Sequence, residues 1–430
     1  MFRRLPKLPP LPLILAGALA LRIIAAVCVQ HHVEQTPGRL CLVSGDPEGY
    51  WALARHLDKG EDFAIYEPPR YVERMPGFPL VLAAGIKILG ERVLWIRFFL
   101  ACLGTAACGL VFWLTRELID SSAGLIACVW AAISPTFVVL SVLLLSETVF
   151  AAGLLAGLVA FAKLWRAAGD DGQTSPRRQA LVAFVAGVLC GAATLVRPTW
   201  LLAAPAFAAL YLLNAPHFAR RLAPAGLLLA GFAIPLAPWA IRNYRVTGHF
   251  IVTTLWVGPS LYDGLSPQAT GASDMRFIEE QGFYTGKRPA NFEYEADRHY
   301  RRAALEFVKN EPLRTLELGA KKLLRFLNPF PNSEQFGRWS MFLGIGFFES
   351  GTMLLAIAGL WRFRKSWFTW LLSAGPFLYF AAVHLVFVGS VRYRLPAEYA
   401  LLALTAVGCR RLFFRRSSAA RVDWRSHGTS

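Results

Sequence analysis

The chain has 430 residues, 55% of them hydrophobic and 17% charged, with a mean hydropathy of +0.42. A soluble domain carries about 25% charged residues, and here the apolar residues gather into runs reaching the ~20 residues of a bilayer span, which excludes a soluble fold and implies a polytopic membrane protein. The net charge of +17 does not point to nucleic acid, because the basic residues lie in short segments between the runs, where they set membrane orientation.

Residues 11–29 follow Arg3, Arg4 and Lys7 and form the first expected span. The run is longer than a signal-peptide core and lacks a convincing small-residue cleavage site, so it reads as uncleaved. Residues 30–92 are then an extracytoplasmic loop. Within it Asp46 precedes Pro47, and Tyr50, Leu53, Ala54 and Leu57 recur at helical spacing, so Asp46 is expected as an N-cap. A carboxylate fixed there is also kept ionised by the helix dipole and could serve as a general base. The apolar stretch 77–89 is too short to span and is expected to be interfacial or re-entrant.

Further spans are expected over 93–115, 123–142 with Pro135 interrupting, 147–164, 180–196, 200–213 and 224–241. A second extracytoplasmic loop, 242–340, mixes charged and aromatic residues. The chain returns over 341–361, 367–388 and 395–409, and a basic cytoplasmic tail covers 410–430. The expectation is one all-α domain of about ten transmembrane helices, with short basic loops on one side and both large loops on the other. Six of the seven cysteines lie in or at the end of apolar runs and only Cys41 lies clearly in a loop, so no disulfide or metal spacing emerges. No internal repeat suggests an inverted-repeat transporter, and no P-loop, GxSxG, GxGxxG or HExxH motif is present.

This topology collects polar residues on one membrane face: Asp46, Glu48 and Tyr50, then Arg70 and Arg74, Glu147, Arg197, Arg242 with Asn243, and Arg392 with Tyr393. Each has a plain explanation by itself. Glu147 follows Ser146 at a helix start, where capping accounts for it, and arginines snorkel to headgroups. Together they describe a cavity with a carboxylate base, a second acid and several cations at headgroup depth, suited to the phosphate of a lipid-linked donor. Asp46 and Glu48 are also oxygen donors of the kind a divalent cation uses, although two carboxylates do not make a site.

The segments GDPEGYWALA (45–54), RMPGFPLVLA (74–83), LLLSETVFAAGLLAG (143–157), GAATLVRPTWLLAAP (191–205), PWAIRNYRVTGHF (238–250) and VRYRLP (391–396) resemble, in order, the GT-C glycosyltransferases. The branch is that of the dolichyl-phosphate-mannose-protein mannosyltransferases, lipid A aminoarabinose transferases and rhizobial lipopolysaccharide core sugar transferases. The resemblance implies transfer of a sugar from a polyprenyl-phosphate donor to an envelope acceptor (lipopolysaccharide, other glycan, lipid or protein) at the outer face of a bacterial inner membrane, with inversion. It makes Asp46 the base, Arg74 the phosphate ligand and Glu147 a second acid. The protein mannosyltransferases carry adjacent Asp and Glu in this loop, whereas Pro47 here separates Asp46 from Glu48, which weakens a protein acceptor. A transporter or flippase of a lipid-linked or anionic solute is the alternative, and it would need polar residues in mid-span.

Overall fold

The computed structural model describes residues 9–36, 39–42, 45–169, 175–213, 218–284, 291–331, 339–363 and 366–413. Lipid offers no hydrogen bonds to a backbone, so apolar runs satisfy their amides internally as helices. The first loop and its flanks form Leu11–Glu34 (α1), Asp46–Lys59 (α2), Gly77–Leu89 (α3) and Val93–Leu118 (α4). Then come Ser121–Ile133 (α5), Pro135–Leu140 (α6), Glu147–Gly169 (α7), Pro176–Val196 (α8), Ala203–Leu213 (α9) and Phe218–Thr247 (α10). The second loop folds as Val257–Gly264 (α11), Phe277–Glu280 (α12), Phe292–Asn310 (α13) and Pro312–Leu327 (α14). Trp339–Arg362 (α15), Trp367–Val386 (α16) and Val391–Phe413 (α17) complete the bundle. No β-strand occurs among the described residues.

Among the described residues seven helices, α1, α4, α7, α8, α10, α15 and α16, are long and apolar enough to cross a membrane. The other three expected spans are also helical, each with a reason for falling short. Pro135 splits one into α5 and α6, and another is a 3-10 turn at Pro198–Trp200 followed by the 11-residue α9. The third, α17, carries Arg392, Arg394 and Glu398 in its first turns and Arg410 and Arg411 in its last.

The α5/α6 break explains a cation inside the bundle. Pro135 has no N–H, so the Ala131 carbonyl loses its helical donor. Arg22 of α1, fully buried, supplies the replacement: Nη2 donates to Ala131 O (3.2 Å), and Nη1 donates to Ala132 O (3.3 Å) and Ala18 O (3.1 Å). Two further sets of buried polar groups tie α17 to the end of α14 and α6 to α15. Arg394 pairs with Glu398 and donates to Phe326 O (2.7 Å) and Asn328 O (2.5 Å), while the Thr136 hydroxyl donates to Glu349 Oε1 (2.7 Å). The expectation that polar residues keep to the outer helix ends missed Arg22 and Glu349, because α1 and α15 stay apolar on average.

Close helix contact places the site. A Cβ on Gly187 would lie 2.0 Å from Leu228 O, and one on Gly191 2.4 Å from Phe232 O. This G-x-x-x-G face therefore lets α8 and α10 meet backbone to backbone. Gly77 does the same for α3, where a Cβ would fall 2.6 Å from the Leu195 carbonyl carbon. That contact carries Arg74, just before α3, to the end of α8, where Arg197 is the C-cap residue.

Candidate active site

Local structure at the start of α2 differs from the capping expectation. Gly45 is the N-cap, with φ +94°, and its N–H is held by Glu48 Oε2 at 2.8 Å. Glu48 therefore closes its own helix and is exposed, while Asp46 makes no cap bond and its carboxylate is free for other partners.

Those partners are two arginines from distant elements. Arg74 Nη1 donates to Asp46 Oδ1 at 2.7 Å, and Arg392 Nη1 at the start of α17 lies 2.9 Å from Asp46 Oδ2. Arg392 also pairs through Nε with Glu147 at the start of α7, and Arg197 Nη1 lies 3.4 Å from the same Glu147 oxygen. In the other direction Glu73 bridges Arg74 (3.7 Å) and Arg70 (2.8 Å). The result is an alternating row, Arg70, Glu73, Arg74, Asp46, Arg392, Glu147, Arg197. Four cations and three anions leave one positive charge in excess.

Burial pushes the Asp46 carboxyl up, but the Arg74 and Arg392 guanidiniums outweigh it and hold the group well below the usual carboxylate range. Glu147 and Glu73 are almost fully buried, and Glu147 Oε2 and the Nε atoms of Arg70 and Arg74 have no hydrogen-bond partner. Such buried unpaired polar atoms are costly, and here they cluster along the row. Tyr50 faces the Arg74 guanidinium (5.0 Å), and Tyr393 lies between Arg197 (5.4 Å) and a stacked His384 ring (4.8 Å).

Of the sequence set, Glu48 is outside the row as the helix cap, Tyr50 and Tyr393 border it through Arg74 and Arg197, and Arg242 and Asn243 serve elsewhere. Arg242 donates to Tyr71 O (2.6 Å) and Phe63 O (2.9 Å), and Asn243 donates to Ile251 O (3.0 Å). Both tie loops to the end of α10. Sequence reasoning missed Glu73, which had a local signal in standing beside Arg74. It also missed Glu293, which had none: its carboxylate accepts the N–H groups of Tyr71 (2.7 Å) and Val72 (3.1 Å) and so fixes the strand of chain that carries Glu73 and Arg74. No group of three or more His, Cys, Asp or Glu side chains converges to hold a metal ion among the described residues.

The described residues form an all-helical bundle with seven helices long and apolar enough to cross a membrane, as in an integral membrane protein, and its fold is shared with a GT-C oligosaccharyltransferase of known structure. The family model described as dolichyl-phosphate-mannose-protein mannosyltransferase matches residues 73–241, the stretch that contains Glu73, Arg74, Glu147 and Arg197. The chain is similar to the archaeal oligosaccharyltransferase AglB from Archaeoglobus fulgidus, solved with an inhibitory peptide and a dolichol-phosphate. The two are 16% identical over 92% of this chain and 50% of AglB, with a TM-score of 0.50. It is also similar to ArnT from Cupriavidus metallidurans bound to undecaprenyl phosphate, at 15% identity over 93% of this chain and 78% of that one, with a TM-score of 0.41. At these identities the AglB likeness is one of fold, and the chain spans about half of AglB's length. A search of curated proteins found no sequence match.

Proposed function

We propose that this protein transfers a sugar from a polyprenyl-phosphate donor to an envelope acceptor, a lipopolysaccharide, other glycan, lipid or protein. The reading places the reaction at the outer face of a bacterial inner membrane, with inversion at the anomeric carbon. The observation that carries it is Asp46 held between Arg74 and Arg392 in a row with one surplus cation. Guanidinium forks match phosphate oxygens, so a donor phosphate competes with Asp46 for the two arginines. Its arrival frees a carboxylate that is otherwise too strongly paired to be an effective base. Asp46 then takes the proton of the acceptor hydroxyl as that oxygen attacks the anomeric carbon. Arg74 and Arg392 stabilise the departing polyprenyl phosphate, and Glu147 with Arg197 holds Arg392 in position.

The test is to incubate the purified protein with a panel of polyprenyl-phosphate sugars and envelope acceptors and detect products by mass. Transfer from at least one donor is expected, and none from any donor sinks the reading. The transporter reading draws on Glu349, Arg394 and Glu398, which are buried within the bundle. Sugar transfer in proteoliposomes without a solute gradient decides for the enzyme, and gradient-driven uptake without transfer decides for the transporter.

A further inference from the structure

Tyr66 is the one non-glycine residue with a left-handed backbone among the described residues, at φ +68°. That conformation costs roughly 1–2 kcal/mol, and strain of this kind gathers where a side chain must be aimed. The side chain it aims is a large aromatic left 49% exposed. The Arg70 guanidinium lies 4.5 Å from the ring centroid and is itself tied to Glu73. A Cβ added at Gly49, one turn along α2 from Asp46, would meet Arg74 Nε at 3.2 Å and the Tyr66 hydroxyl at 3.5 Å. The phenol and the Arg74 guanidinium therefore flank the same bare step of α2. Tyr66 also walls a cavity of about 330 Å³ shared with Glu61, Asp62 and Tyr71, a volume at the small end of ligand pockets.

An aromatic face beside carboxylate acceptors is suited to a neutral pyranose, whose C–H face packs on a ring while its hydroxyls donate to oxygens. We propose that Tyr66 and this cavity receive the sugar ring of the donor, so that Tyr66 is a specificity-determining residue for the sugar transferred. The proposal rests on the proposed function, since it is the phosphate on Arg74 that brings the sugar beside Tyr66.

The test measures binding to the whole protein in nanodiscs, with undecaprenyl phosphate and with a panel of undecaprenyl-phosphate monosaccharides as probes. In the wild type at least one neutral hexose lipid binds about tenfold more tightly than undecaprenyl phosphate; Tyr66→Ala removes that ratio, while affinity for undecaprenyl phosphate changes by less than about twofold. Tyr66→Phe keeps the ratio because it keeps the ring. Tyr66→Gly relieves the backbone and still lacks the ratio, which separates ring loss from misfolding. A ratio that survives in both Tyr66→Ala and Tyr66→Gly overturns the assignment, as does a wild type that binds every sugar-bearing lipid no better than the bare one. A wild type that binds neither kind of lipid overturns the proposed function itself.

Discussion

Asp46 sits where a capping residue and a general base look alike, and its partners are Arg74 and Arg392 rather than the N–H groups of its own helix. With Gly45 and Glu48 closing the helix, Asp46→Asn should leave the start of α2 intact, while the thermal midpoint falls because Arg74 and Arg392 lose their ion pairs. Transfer should fall by about 10²-fold or more, because Asn takes no proton. Product formation by a folded variant checks this, and near wild-type turnover would move attention to Glu147. The pH dependence has a defined sign. A carboxylate depressed in the fold contributes stability above its unfolded value near 4, and this is lost only as pH falls through the lower folded value. The kcat/KM for transfer, which reports the free enzyme with Asp46 still paired, should therefore show no acid limb from Asp46 between pH 7 and about 5. A limb in that interval assigns the proton to another group. Arg74→Ala should weaken donor binding by about 1.5–3 kcal/mol, and Arg74→Lys should recover only part, since a point charge lacks the fork. Titration with the donor lipid measures both, and unchanged affinity in both variants would pass the phosphate to Arg392.

At the scale of elements, the row depends on backbone held by remote side chains. Glu293 on α13 accepts two consecutive N–H groups of the first loop, so Glu293→Ala leaves two buried donors unpaired at about 1–3 kcal/mol each. Amide exchange should quicken at residues 71–74 and transfer should fall, with the bundle helices still protected. Protection at Tyr71 and Val72 equal to wild type would remove Glu293 from this role. Arg22 does comparable work at the α5/α6 break. Arg22→Met strands the carbonyls of Ala131 and Ala132 and should lower the unfolding midpoint in detergent, at about 1–3 kcal/mol per orphaned group. An unchanged midpoint would mean that the break closes without it.

For the whole molecule, the sidedness expected from charge is checked by labelling. Cys41 is a poor reporter although it lies in a loop, because it is buried and its thiol is pushed up to about 11. Ser273 in the second loop and Ser122 in the first turn of α5 are both exposed. Ser273→Cys should react with an impermeant maleimide from outside the cell, and Ser122→Cys only after the membrane is opened. Labelling of both from one side would overturn the orientation and move the site to the other face.

What the sequence determined by itself was local or additive: membrane embedding from mean hydropathy, an all-helical fold from apolar run lengths, a break from Pro135, and the GT-C resemblance from motifs in order. Each depends on neighbours in the chain, which is why it is readable there. It also collected Asp46, Arg74, Glu147, Arg197 and Arg392 as candidates on one face. What only the tertiary structure decided was which of them touch. Asp46, Arg74 and Arg392 meet across more than 300 residues of chain, and no periodicity encodes that contact. The same holds for Arg242 and Asn243, which resemble ligands in sequence yet spend their donors on carbonyls. It holds too for Arg22, whose charge in a span makes sense only beside the carbonyls that Pro135 releases. Ion pairing and carbonyl rescue are settled by three-dimensional proximity, and proximity here is set by glycine-lined helix contacts such as Gly77 of α3 against α8 and Gly187 of α8 against α10.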